Sequence, residues 1–136
     1  MLLMELRRGV GPPPGAVRAL ITKERIMLIF GCSGGSDVGG LADQAARRLA
    51  KDGKGKMYCL AGVGAGIPNM LETARSAERI IAIDGCQVNC AKRIMENAGL
   101  RAEHYNLKDM GFEKGSTVIN DETIRSVVEK INRPKM

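Results

Sequence analysis

At 136 residues the chain is long enough for one domain with a real core and too short for two. It has no Trp, two Tyr and two Phe, which disfavours a wide aromatic platform for stacking bases, and no apolar run reaches the length of a membrane span. The net charge of +6 would suggest an acidic partner if it formed one patch. Half of it, however, lies in residues 1–25, on Arg7, Arg8, Arg18, Lys23 and Arg25 against Glu5 and Glu24.

The remaining charge reads as a mildly basic, solvated surface, so a nucleic-acid partner is disfavoured. "MLLMELRRG" lacks the ordered regions of a secretory signal, and a cytoplasmic location is expected. Thiols stay reduced there. Four cysteines in so short a chain then point to ligands or reactive groups rather than structural disulfides.

Residues 1–24 contain "GVGPPPG", whose prolines favour polyproline II, and read as a flexible extension. Residues 25–136 read as a single domain. "RIMLIF" (25–30) is a short apolar run that fits a strand covered on both faces. The loop "GCSGGSD" leads to a helix at 37–51, with Val38, Leu41, Ala42, Ala45 and Leu49 on one stripe and Ser36 or Asp37 as cap. "GKMYCLAG" supplies a second strand ending near Cys59 or Leu60, and Pro68 opens a helix over 68–77.

"RIIAID" (79–84) is a third strand. A helix over 88–98 places Val88, Ala91, Ile94, Met95 and Ala98 on one side and stops at Gly99. "AEHYNLKD" is a fourth strand, "STVI" an extended segment, and 121–131 a last helix with Ile124, Val127, Val128 and Ile131 inward. Strands and helices alternating at short intervals predict right-handed crossovers and a three-layer αβα fold. The expected sheet is mainly parallel, with four to five strands, of flavodoxin-like/Rossmann-like class and in the flavodoxin-like order 2-1-3-4.

Cys32, Cys59 and Cys86 recur at intervals of 27 residues, one βα unit, each at or just past a predicted strand end. With strand 1 between strands 2 and 3, such positions are about 4.8 Å apart per strand across the sheet. Cys90, four residues after Cys86, falls in the first helical turn and completes a set of four. Four thiolates suit tetrahedral zinc or an iron–sulfur cluster. Helix N-termini would offset their negative charge, and open amides around Cys32 and Cys59 could bond the sulfurs. For Cys59 alone, burial as a small apolar residue is an equal reading.

"CSGGSDVG" (32–39), "YCLAGVG" (58–64) and "IDGCQVNCAKRIMENAG" (83–99) together resemble the DGC-domain proteins, a prokaryotic family named for its Asp-Gly-Cys motif. The resemblance covers about residues 25–131. It implies zinc binding without a settled reaction, with Asp84, Gly85 and Cys86 as the name motif and Cys32, Cys59 and Cys90 as the other metal-site cysteines. Gln87 stands where proline is expected in many members.

Other signals are weaker. "GVGAG" (62–66) could cradle a phosphate, and Asp84 stands near the spacing of a ribose contact, but a full G-x-G-x-x-G is absent. In "CSGGSDV", position 38 is Val where a phosphatase-type loop needs Arg, and no histidine base accompanies Ser33 or Ser36. Asp84 is expected to bond nearby amides and Asp37 to cap its helix. His104, the only histidine, is expected toward the edge opposite the cysteines, while Lys92 and Arg93 could balance thiolate charge or attract an anion, or equally be solvated helix positions.

The expectation is a zinc protein using Cys32, Cys59, Cys86 and Cys90. The alternatives are a thiol-redox enzyme using Cys86 and Cys90, an iron–sulfur protein, or a module for a small-molecule or protein partner.

Overall fold

A computed structural model describes residues 26–133; the extension expected over 1–24 lies outside them. The described elements are β1 (Met27–Gly31), α1 (Asp37–Lys51), β2 (Lys56–Met57), α2 (Leu60–Gly64), α3 (Pro68–Arg75), β3 (Arg79–Asp84), α4 (Cys90–Asn97), β4 (Glu103–Asn106) and α5 (Asp121–Asn132). A 3₁₀ turn, Leu107–Met110, follows β4. All strand pairs are parallel and the order is β2-β1-β3-β4, the 2-1-3-4 order expected from the sequence.

The strands' two-residue period divides the core. Ile29, Ile81 and Ile83 face Leu41, Ala45 and Leu49 of α1 and Ile124, Val127 and Ile131 of α5. Leu28, Phe30, Ile80 and Ala82 face Val63 of α2, Ala74 of α3, and Ala91 and Met95 of α4. A sheet covered on both faces explains why β1 and β3 read as unbroken apolar runs. Each fully buried Leu or Ile contributes roughly 1.5–3 kcal/mol of transfer free energy.

Helix boundaries follow local chemistry. Ser36 caps α1, its Oγ accepting from Gly39 N at 3.1 Å. Asn120 and Thr123 form a reciprocal capping box at the start of α5. Gly99, at φ 73, ends α4 as expected.

The structure differs from the expectation at β2, α2 and α4. β2 is only two residues long, because the chain turns after Tyr58 N bonds Ile29 O at 2.9 Å and enters α2, a helix not anticipated. Its glycines permit tight packing: a Cβ on Gly62 would stand 2.0 Å from Met70 Sδ, and one on Gly64 would stand 3.1 Å from Ile94 Cδ1. α4 starts at Cys90 rather than 88, since Asn89 takes a left-handed conformation at φ 59, which leaves Val88 exposed. "STVI" joins no strand, and the sheet among the described residues has four, within the four to five expected.

Candidate functional site

β1 and β3 end side by side at the C-terminal edge of the sheet, with Gly31 paired to Ile83. Cys32 continues that ladder by one bond, its N donating to Ile83 O at 2.9 Å. Burial pushes the Cys32 thiol pKa up, and amide hydrogen bonds from Gly34 and Gly85 oppose the shift. The charges of Asp84 and Cys90 push in the same direction as burial. Ser33 adopts φ 52, and its Oγ donates to Asp43 Oδ1 at 2.8 Å, tying this turn to α1.

The glycine of the Asp-Gly-Cys motif has a packing reason. A Cβ on Gly85 would lie 2.6 Å from the Val38 carbonyl carbon and 2.7 Å from its oxygen. A Cβ on Gly39 would lie 2.7 Å from Gly34 N and O. The loops after β1 and β3 therefore meet the first turn of α1 backbone to backbone, which only glycine allows.

Asp84 is the buried anchor of the site, 1 % exposed. Its Oδ1 accepts from Ala91 N at 2.8 Å and its Oδ2 from Lys92 N at 3.0 Å. These are first-turn amides of α4 that Asn89, with no side-chain cap bond, leaves unsatisfied. His104 Nε2 lies 2.8 Å from Asp84 Oδ2. A buried carboxylate is tolerable only when its oxygens are bonded, and these three contacts supply that. Asp84 thus bonds amides as expected, and by doing so fixes the start of the helix that carries Cys90.

His104 is not at the edge opposite the cysteines. It pairs with Ala82, and its ring runs along the sheet face to Asp84, two residues nearer the site. Asn106, paired with Asp84, was not singled out by sequence reasoning. It is buried, and its Nδ2 donates to Cys86 O and to Asn89 Oδ1, both at 2.8 Å. It pins the turn between the two cysteines. No motif flags Asn106; only the register of β3 against β4 would have revealed it.

None of the four cysteines forms a disulfide. Cys32, Cys59 and Cys90 line one open cleft of about 670 Å³, together with Ser33, Asp43 and Arg47. Cys59 and Cys90 are exposed and Cys32 is half-buried. The burial reading of Cys59 therefore fails, because the residue lies past β2 as the N-cap of α2. Cys86, half-buried, lines a separate cavity of about 210 Å³ with Val88, Lys108, Phe112 and Lys114. A cleft as large as the first lies at the opposite sheet edge, between Arg79, Glu103 and Ile131, and holds no cysteine.

The donor chemistry suits a soft, thiophilic ion, since three thiols share a cleft and Cys32 already receives two amide hydrogen bonds. The described conformation does not close around one. Among the described residues, no three His, Cys, Asp or Glu side chains stand close enough to hold a metal ion. Gly62 and Gly64 of "GVGAG" serve packing while Gly66 takes φ 73, and Lys92 and Arg93 are exposed. No described helix is long and apolar enough to cross a membrane.

Fold and site define a class: a three-layer parallel α/β domain with unpaired cysteines on the loops at the C-terminal edge. A family model described as the DGC domain matches residues 28–131, and the chain belongs to that family. It is also 36% identical over 88 residues to "Anaerobic and virulence modulator AnvM" of Pseudomonas aeruginosa, an alignment covering 64% of this chain and 67% of that protein. No solved structure gives a significant match.

Proposed function

We propose that this DGC protein binds one zinc ion through Cys32, Cys59, Cys86 and Cys90 at the C-terminal edge of its sheet. The observation that carries the reading is that three parts of the chain, the last of them the start of α4, bring Cys32, Cys59 and Cys90 to one cleft. Cys86 sits one turn before Cys90, on a segment whose Gly85 and left-handed Asn89 set its path. Zinc bound by all four would clamp three loops together, whereas an open ligand position would make it a Lewis acid. The chain's own part is to hold the thiols: Asp84 sets α4 and Cys90, Asn106 sets the Cys86 turn, and Gly34 and Gly85 amides stabilise the Cys32 sulfur.

Metal content and visible spectrum of protein purified without added metal test the reading. One zinc per chain in a colourless protein, lost in Cys32→Ser, Cys59→Ser, Cys86→Ser and Cys90→Ser, supports it. Negligible metal in the wild type overturns it, as does undiminished zinc in Cys86→Ser. Colour together with iron and labile sulfide would establish the iron–sulfur alternative. Two fast-reacting thiols in metal-free protein would favour thiol-redox chemistry at Cys86 and Cys90.

A further inference from the structure

The connection between the 3₁₀ turn and α5 is fastened along its length. At its start, the Phe112 ring lies 5.6 Å beneath Lys130 Nζ of α5, and Phe112 N donates to Leu107 O at 3.1 Å. At its end, Ile119 rests on α1, where a Cβ on Gly40 would stand 2.8 Å from Ile119 Cδ1. In the middle, one carboxylate does the fastening. Asp37 accepts from Gly115 N at 2.9 and 3.0 Å and from Thr117 N at 3.0 Å, while its Oδ1 also takes Val38 N at 2.8 Å. Gly111 and Gly115, at φ 94 and 97, make the reversals that lay the chain across this path.

This segment also walls a thiol. Phe112, Glu113 and Lys114 form one side of the cavity whose other side is Gly85, Cys86, Gln87 and Val88. Residues 113–116 are exposed, so that stretch can lift while Phe112 stays packed against the core of α1 and α5.

We infer that residues 111–119 form a strap that covers Cys86, and that Asp37 holds the strap shut. The segment walls the pocket at Cys86, whereas the other three thiols line a different cleft. The inference stands apart from the metal reading, since it concerns access to Cys86 whether or not an ion is bound. Asp37 is five residues beyond Cys32 on another element and touches none of the four cysteines through the bonds that hold the strap.

The experiment is site-resolved labelling of the native protein with N-ethylmaleimide, read by mass spectrometry as purified and after chelation. It is paired with hydrogen exchange at Gly115 and Thr117. Asp37→Asn and Gly115→Ala both loosen the strap, the first by removing acceptor capacity and the second by straining a left-handed turn. In each, the two amides exchange faster and Cys86 is labelled about fivefold faster in at least one of the two samples, while Cys32 and Cys59 stay within about twofold. Faster amide exchange with unchanged Cys86 labelling in both samples would overturn the inference. So would unchanged amide exchange, or a rise at all four thiols together.

Discussion

The two helical layers are built differently. The layer of α1 and α5 has helices of 15 and 12 residues, each with a side-chain cap and a continuous buried stripe. The layer of α2, α3 and α4 has helices of 5, 8 and 8 residues, none capped by its own N-cap side chain, with one or two buried residues each. Cys59 and Cys90 stand at helix starts in this second layer, and Cys32 packs at the sheet edge between the two. The difference teaches where stability and adaptability reside. The first layer fixes the sheet; the second presents the thiols on short elements whose termini depend on distant groups such as Asp84.

The comparison predicts separable effects. The largest falls in the stiff layer: Leu41→Ala leaves a cavity between α1 and the sheet and lowers stability by about 3–4 kcal/mol in urea unfolding. Maleimide labelling of Cys59 and Cys90 in native conditions is unchanged by it. Altered labelling would show that the two layers are not independent.

Asp84→Ala comes next. It strands the Ala91 and Lys92 amides and costs about 2–3 kcal/mol, and hydrogen exchange speeds up at those two amides before the rest of the protein. Uniform loss of protection would break the claim that α4 depends on this one carboxylate. Ser36→Ala removes a single cap bond from α1 and costs about 1 kcal/mol, with no change in exchange across α4.

The smallest effect is one of pH. Amides of Gly115 and Thr117 hold the Asp37 carboxyl pKa below its ordinary value. Its contribution to strap closure is therefore complete above the ordinary carboxylate pKa and is lost only as pH falls through the lower folded value. In chelated, metal-free protein, labelling of Cys86 relative to Cys59 stays constant from about pH 7 down to about pH 5; a change within that range would contradict the anchor.

How legible each feature was depended on how local its cause is. The apolar runs of β1 and β3, the stripes of α1 and α5, and the stop at Gly99 all follow from neighbours in the chain, and they were read correctly. The return of Cys32, Cys59 and Cys86 to one sheet edge was legible through their 27-residue recurrence, since equal βα units bring the chain back to the same edge. α2 was not, because a glycine-rich helix has poor intrinsic propensity and forms here by packing Gly62 against Met70. The later start of α4 was missed because Asn89 turns left-handed where Asn106 can reach it across the sheet.

The sequence alone determined the three-layer parallel architecture, the family, and the delivery of four cysteines to one edge, because hydrophobic period and element length are local properties. Only the tertiary structure decided that three thiols share one cleft while Cys86 faces another, that His104 meets Asp84, and that Asp37 grips a loop some 80 residues away. Those outcomes rest on strand register and backbone approaches at Gly39 and Gly85, which bring together groups that no spacing along the chain relates.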